Sequence, residues 1–210
     1  MYQPIVDLAT RQVCGYEALT RFADGTRPDV RFTMAHAVGL GSEMELACAL
    51  AALEGARDLP PDVWLSINLS PESVVIGDGA DLLAGHSSLR LVLEITEHAE
   101  IDDYGALRRA LRSMAPVKVS VDDAGAGFAS LRHILELKPD FVKLDLALVR
   151  GIDTDPARQA LTVGLCHFAA RTGAVLIAEG VESTAEADTL RGLGVPFGQG
   201  YLFGRPAPLN

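Results

Sequence analysis

The sequence has few of the residues from which disulfide-rich, zinc-binding or membrane-spanning proteins are built. It has only three cysteines, Cys14, Cys48 and Cys166, and no CxxC pair, so neither a disulfide framework nor a thiolate zinc site is predicted. No apolar run reaches the length of a membrane span, and the first residues do not look like a signal peptide. We therefore expect a cytoplasmic protein with free thiols.

Positive charge is also scarce. Eighteen Lys and Arg residues against 28 Asp and Glu residues give a net charge of -10. This balance argues against binding a nucleic acid polymer, which needs a basic face, but it does not exclude a small anionic ligand held through metal ions. With 49% hydrophobic residues, no repeat and no low-complexity linker, the chain is predicted to be one globular domain spanning residues 1–210.

Strand and helix patterns alternate along most of the chain. The predicted strands cover residues 2–8, 13–22, 64–69, 89–96, 117–121, 141–146, 174–178 and 197–203. The predicted helices cover residues 33–59, with a break at 39–41, and residues 102–114, 130–137, 155–171 and 183–193; a short helix follows Ser70. This alternation favours a parallel sheet with helices outside, and eight strands permit a closed (β/α)8 barrel of the TIM type.

The first two strands form an irregular beginning. They could pair as a hairpin, in which case one strand runs antiparallel, and Pro4 predicts an edge position for the first strand. The alternative is an open, doubly wound sheet, which predicts a glycine-rich phosphate loop after an early strand. Neither GxGxxG nor GxxxxGK occurs, and this lowers the weight of that alternative.

The stretch VKVSVDDAGAGF at residues 117–128 is the centre of the functional argument. A β-branched strand ends in two adjacent carboxylates, Asp122 and Asp123, and a glycine-containing turn follows. Taken alone, the stretch is best interpreted as a surface turn, because Asp and Gly are common turn residues. Two ionised carboxylates at the end of a buried strand would repel each other, however, and a divalent cation would relieve that repulsion.

Other polar residues share this placement at the carboxyl ends of predicted strands. They are Glu17, Asn68, Glu94, Glu97, Asp122, Asp123, Lys143, Asp145, Glu179, Glu182 and Gln199. Each alone could be a solvated strand end, but in a parallel barrel these ends converge on one face. Eight carboxylates against Lys143 and Arg21 leave about six negative charges in a cleft, which two divalent ions would largely offset. All donors are oxygens and the five histidines show no ligand spacing, so Mg²⁺ or Mn²⁺ is favoured over Zn²⁺.

Eight short motifs stand in the order found in one bacterial family. They are YQPIVDL at 2–8, YEALTR at 16–21, INLSP at 67–71, LEITE at 93–97, VDDAGAGF at 121–128, KLD at 143–145, AEGVE at 178–182 and QGYLFGRP at 199–206. On these motifs the chain resembles the EAL-domain proteins, which are cyclic di-GMP phosphodiesterases. The resemblance implies a (β/α)8 barrel with one antiparallel strand, two Mg²⁺ or Mn²⁺ ions, and hydrolysis of cyclic di-GMP to linear pGpG.

The resemblance also implies residue roles. Glu17, Asn68, Glu94 and Asp122 match the ligands of one metal, and Asp122, Asp123 and Glu179 those of a second. Lys143 would position the attacking water, and Glu179 is a candidate general base. Arg21 and Gln3 would contact the substrate, and Glu97 would brace the loop after the fifth strand. Asp145, Glu182 and Gln199 would lie close to the metals or behind their ligands.

The chain departs from the family pattern in one loop. It reads DDAGAG where the family usually reads DDFGTG, so Ala124 replaces an aromatic residue and Ala126 a threonine. That loop shapes the second metal site and often a dimer contact, which puts the rate and any homodimer in question. Some family members are silent cyclic di-GMP receptors, but these typically lose metal ligands. Every expected ligand is present here, which favours the enzyme over a receptor or a scaffold.

Overall fold

A closed eight-stranded barrel forms the centre of the molecule. A computed structural model of the chain describes residues 1–75, 78–95, 101–124 and 128–209. The strands are β1 (Tyr2–Asp7), β2 (Val13–Ala18), β3 (Trp64–Asn68), β4 (Arg90–Ile95), β5 (Lys118–Ala124), β6 (Phe141–Leu144), β7 (Val175–Ala178) and β8 (Phe197–Gln199). They pair in sequence order, with β1 antiparallel to β2 and β8 and the other neighbours parallel. The predicted barrel with one antiparallel strand is confirmed, and the open sheet is excluded.

Helices connect most of the strands. They are α1 (Pro28–Ala37), α2 (Gly41–Gly55), α3 (Pro71–Val75), α4 (Asp78–Ala84), α5 (Tyr104–Ser113), α6 (Phe128–Leu137), α7 (Leu146–Val149), α8 (Pro156–Thr172) and α9 (Thr184–Gly192). The capping box of Ser183 and Glu186 at the start of α9 is confirmed. None of the described helices combines the length and the apolar character needed to cross a membrane.

Several predicted strands are shorter in the structure. The second strand ends at Ala18 rather than at residue 22, the sixth at Leu144 and the eighth at Gln199. The sixth stops early because the Asp145 side chain accepts a hydrogen bond of 2.6 Å from the Ala147 N–H and caps α7. The predicted helix 33–59 divides into α1 and α2, and α1 already begins at Pro28.

Pro4 does not mark a sheet edge, because β1 is paired on both sides. The ladder with β8 begins only at Ile5, which lies opposite Gln199. Pro4 lacks an N–H donor and stands just before that ladder, where its missing donor costs no bond to β8. The prediction of an edge strand is therefore wrong, although the local reason for placing proline there is sound.

The interior of the barrel has an apolar floor. A buried cluster comprises Ile5, Trp64, Val92, Phe141 and Ile177, and the Trp64 and Phe141 rings stack with centroids 5.4 Å apart. Trp64 and Phe141 each begin a strand, so this cluster fills the amino-terminal end of the barrel. Because side chains alternate along a strand, the inward positions further along β2, β4 and β6 are Glu17, Glu94 and Lys143. The polar residues therefore gather at the opposite, carboxyl-terminal end.

Candidate active site

A fully buried lysine lies at the centre of the polar end of the barrel. The Lys143 Nζ is 2.6 Å from Glu179 Oε1 and 2.9 Å from Glu94 Oε2. It is also 3.4 Å from both Glu17 Oε2 and Asp122 Oδ1. The carboxylates come from β2, β4, β5 and the residue after β7. Residues far apart in sequence thus meet around a single ammonium group, which we call the Lys143 cluster.

Amide side chains orient one carboxylate of the Lys143 cluster. Asn68 Nδ2 donates to Glu17 Oε1 at 3.1 Å, and Gln199 Nε2 donates to Glu17 Oε2 at 2.7 Å. Gln199 Nε2 also donates to Gln3 Oε1 at 3.2 Å, while Gln3 Nε2 donates to the Gly204 carbonyl at 3.1 Å. Asn68, Gln199 and Gln3 therefore form the polar wall next to Glu17, and Gln3 and Gln199 are buried in it.

Three predicted site residues take part in other contacts. Asp145 caps α7 as described above, and Glu182 pairs with Arg150 at 2.7 Å with its side chain 40% exposed. Arg21 is exposed and donates to the Thr20 carbonyl at 2.7 Å. The structure therefore places these three residues around the Lys143 cluster rather than in it. The predicted roles of Glu97, of the Asp123 side chain and of residues 125–127 lie outside what the structure describes.

Burial and mutual repulsion change the acidity of the cluster. Burial, with the charges of Glu17 and Asp122, raises the pKa of Glu94 well above its usual range, against the opposing effect of Lys143. Burial likewise raises the pKa of Glu179 to about 8. Burial alone would lower the pKa of Lys143, but its carboxylate neighbours hold it well above the usual value. The lysine therefore stays protonated, and Glu94 and Glu179 retain protons that exposed glutamates would lose.

Glu17 behaves differently from the other two glutamates. Burial would raise its pKa, but the Lys143 ammonium and the hydrogen bonds from Gln199 and Asn68 together lower it. The neighbours of Glu17 therefore favour its ionised form.

The donor set fits a divalent cation of the Mg²⁺ or Mn²⁺ type. The available ligand atoms are carboxylate and amide oxygens, as those ions prefer. Glu94 Oε1 is buried and has no hydrogen-bond partner among the described residues, which leaves a ligand atom to be satisfied. In the described part of the chain no three His, Cys, Asp or Glu side chains already surround an ion position. One oxygen of each of the four carboxylates lies within 3.4 Å of Lys143 Nζ instead.

Comparison with known proteins places this arrangement in a family. The family model described as "EAL domain" matches residues 1–206. The chain belongs to the EAL-domain family. The probable cyclic di-GMP phosphodiesterase PdeN of Escherichia coli K12 is 30% identical over 224 residues, which cover 100% of this chain and 43% of PdeN. The chain thus spans less than half the length of that curated EAL-domain relative.

Solved EAL-domain structures have the same fold. The complex of Klebsiella pneumoniae BlrP1 with manganese and cyclic di-GMP at pH 9.0 matches with a TM-score of 0.86 and 31% identity, over 98% of this chain and 55% of BlrP1. An EAL-domain protein of Listeria monocytogenes EGD-e matches with a TM-score of 0.81 and 26% identity, over 99% of this chain and 87% of that protein. These structural matches independently support the assignment of a barrel fold.

The raised pKa values of Glu94 and Glu179 predict how stability depends on pH without metal. Between the pKa of an unfolded glutamate, 4.5, and about 8 the folded state keeps a proton on Glu179 that the unfolded chain has lost. Stability should therefore fall as pH rises from 5 to 8, by up to about 1.4 kcal/mol per pH unit for each such group. The lowered pKa of Glu17 affects stability below this pH range, and the raised pKa of Lys143 affects it above this range. Thermal unfolding in EDTA should show Tm falling by up to roughly 3–6 °C per pH unit for each such group.

The matched control for this pH dependence is Glu179→Gln, which removes one of the two titrating carboxyls. Its Tm should change less with pH than that of the wild type. A Tm that rises steadily from pH 5 to 8 in EDTA would contradict the raised pKa values.

Proposed function

We propose that the protein hydrolyses cyclic di-GMP to linear pGpG with two divalent cations, Mg²⁺ or Mn²⁺. The observation that carries this proposal is the convergence of Glu17, Glu94, Asp122 and Glu179 on one buried site. Carboxylate ligands of metals are ionised, and with all four carboxylates ionised their charge would exceed that of Lys143 by three, an excess that bound divalent cations would offset. The relatives described as cyclic di-GMP phosphodiesterases support the choice of substrate.

The ligand roles are those that the resemblance to the EAL-domain family implies, and the convergence of four carboxylates supports them. Glu17, Asn68, Glu94 and Asp122 would hold one ion, and Asp122 together with Asp123 and Glu179 the other. When bound, the two ions would lower the pKa of water and offset the charge that develops on the phosphoryl oxygens. Asp122 takes part in both sets, so it is the residue on which the proposal depends most strongly.

Lys143 would stabilise negative charge on the reacting groups, and Glu179 would accept a proton. Water adds to phosphorus, the bond from phosphorus to the 3′ oxygen breaks, and the departing oxygen takes a proton from solvent. Glu179, with a pKa of about 8 in the absence of metal, would accept the proton of the attacking water once it is ionised. Lys143, which stays protonated, would donate a hydrogen bond to the water or to a phosphoryl oxygen.

Two cavities, one lined by Asn68 and the other by Glu17 and Glu179, would suit a ligand with two bases. One has a volume of about 600 Å³ and is lined by Asn68, Arg21 and the apolar side chains of Phe22, Phe32 and Met44. The other has a volume of about 290 Å³ and is lined by Gln3, Glu17, Glu179, Gln199 and Tyr201, among others. Arg21 at the rim of the first cavity would contact a phosphate, and Gln3 would contact the substrate from the second.

The proposal is tested by incubating the purified protein with cyclic di-GMP and Mn²⁺ or Mg²⁺, and separating the products by chromatography. We expect pGpG with either ion and none with EDTA. Binding of cyclic di-GMP without product would instead identify a receptor. Absence of both binding and product would contradict both functions.

A further inference from the structure

A glutamate outside the Lys143 cluster ties helix α2 to the turn and short helix that follow the strand carrying Asn68. The Glu45 side chain is 12% exposed. Its Oε2 accepts three hydrogen bonds, from the Ser70 N–H at 3.0 Å, the Ser70 hydroxyl at 2.7 Å and the Ser73 hydroxyl at 2.7 Å. Its Oε1 lies 3.3 Å from His36 Nε2 on α1. One mostly buried carboxylate therefore joins α1, α2 and the turn after β3.

The turn held by Glu45 directly follows Asn68. β3 ends at Asn68, and Ser70 is the second residue beyond it. The only other hydrogen bond that the structure describes for the backbone N–H groups of Leu69 and Ser70 is a long one, 3.5 Å from the Leu69 N–H to the Glu94 carbonyl. Charge-assisted hydrogen bonds are roughly twice as strong as neutral ones. The bonds to Glu45 therefore help to fix the path of the chain after Asn68, together with the buried side chain of Leu69 and the bond that the Ser70 carbonyl accepts from the Val74 N–H.

We propose that Glu45 is a positioning residue of the metal site, acting through Asn68. By fixing the backbone at Ser70 it sets the direction in which the Asn68 amide projects beside Glu17, where Nδ2 already donates at 3.1 Å. This inference rests on the proposed function, because it requires the Asn68 oxygen to be a metal ligand. Groups that orient ligands in this way typically change metal affinity by 10- to 100-fold when they are removed.

A purely structural role is the competing explanation. Ser70 Oγ also accepts a hydrogen bond of 3.3 Å from the Ser73 N–H at the start of α3, so Glu45 could serve only to stabilise that helix. Such a role would lower stability in Glu45→Ala without any specific link to Asn68. The two explanations therefore differ in whether the effect on metal affinity depends on the Asn68 side chain.

A double-mutant cycle separates the two explanations. The quantity measured is the Mn²⁺ affinity, obtained from the electron paramagnetic resonance signal of the free ion. Glu45→Ala should weaken Mn²⁺ binding about tenfold in the wild-type background and less than twofold in an Asn68→Ala background. The matched control is Glu54→Ala, which removes an exposed carboxylate from the same helix and should leave the affinity unchanged. Ser73→Ala removes a single donor and should weaken binding about two- to threefold; it replaces Glu45→Ala if that variant does not fold.

The outcomes distinguish this inference from the proposed function. If the wild-type protein binds no Mn²⁺, the proposed metal site is wrong, and so is the proposed role of Glu45. If the wild type binds Mn²⁺ but Glu45→Ala and Ser73→Ala bind it equally well, only the role of Glu45 is overturned. An equal tenfold loss in both backgrounds also overturns it, because the effect would then not pass through Asn68.

Discussion

Asp122→Asn should lower the turnover of cyclic di-GMP by at least about a thousandfold, a loss of about 4 kcal/mol in transition-state stabilisation. The asparagine keeps the size of the side chain but removes the charge that lies 3.4 Å from Lys143 Nζ. It also takes a charged oxygen from both proposed metal ligand sets. The variant should still fold, because it removes one carboxylate from a cluster in which the carboxylates outnumber the single ammonium group.

The matched control for Asp122→Asn is Asp188→Asn, which changes a half-exposed aspartate paired with Arg11 on the surface. Its turnover should be the same as that of the wild type. Circular dichroism and Tm should confirm that both variants are folded, so that a loss of product reports on chemistry. Glu17→Ala should behave like Asp122→Asn. Normal turnover in either site variant would remove these residues from the proposed mechanism.

The sequence predicts the barrel and most of the Lys143 cluster for the same physical reason. Parallel strands bring their carboxyl ends to one face, so the positions of Glu17, Glu94, Asp122 and Glu179 at strand ends are sufficient to predict that they meet. The order of the motifs adds the family and the single antiparallel strand. The structure adds the register of the β1–β2 hairpin, in which Gln3 lies opposite Glu17.

Asp145 shows what strand-end placement cannot predict. Lys143 points into the barrel, so a strand that continued through residue 145 would place Asp145 inward as well. The strand instead ends at Leu144, and Asp145 turns to cap α7. An aspartate after a strand is equally suited to both roles, because helix capping and metal binding use the same carboxylate oxygens.

Glu45 shows a second limit of prediction from sequence. It lies within a helical pattern that contains further glutamates, and its sequence context does not distinguish it from Glu43 or Glu54. Its partners, Ser70 and Ser73, are more than twenty residues away along the chain. Only the packing of α2 against the turn after β3 brings them together, so the contact depends on tertiary structure that periodicity cannot supply.

Lys143→Met should be the most destabilising single change in the site when no metal is present. Lys143 and Glu94 are fully buried and Glu17 is nearly so, so removing the ammonium leaves buried carboxylates without their charge partner. Loss of one partner of a buried pair typically costs about 3–5 kcal/mol. Chemical unfolding in EDTA at pH 8 should show a loss of this size. The loss should be smaller at pH 5.5, because protonated carboxyls need no ammonium.

Divalent metal should reverse much of the Lys143→Met effect. An ion that binds only the folded state stabilises it by about 2.7 kcal/mol at a concentration of one hundred times its Kd, and it also supplies the missing positive charge. The control is Lys118→Met, which removes a half-exposed lysine 3.8 Å from Asp140 and should cost less than about 1 kcal/mol with or without Mn²⁺. If Lys143→Met were no less stable than this control, the carboxylates would not depend on the ammonium. If Mn²⁺ failed to stabilise the variant, the carboxylate cluster would not be a cation site, because the donors and their excess negative charge are still present when the lysine is gone.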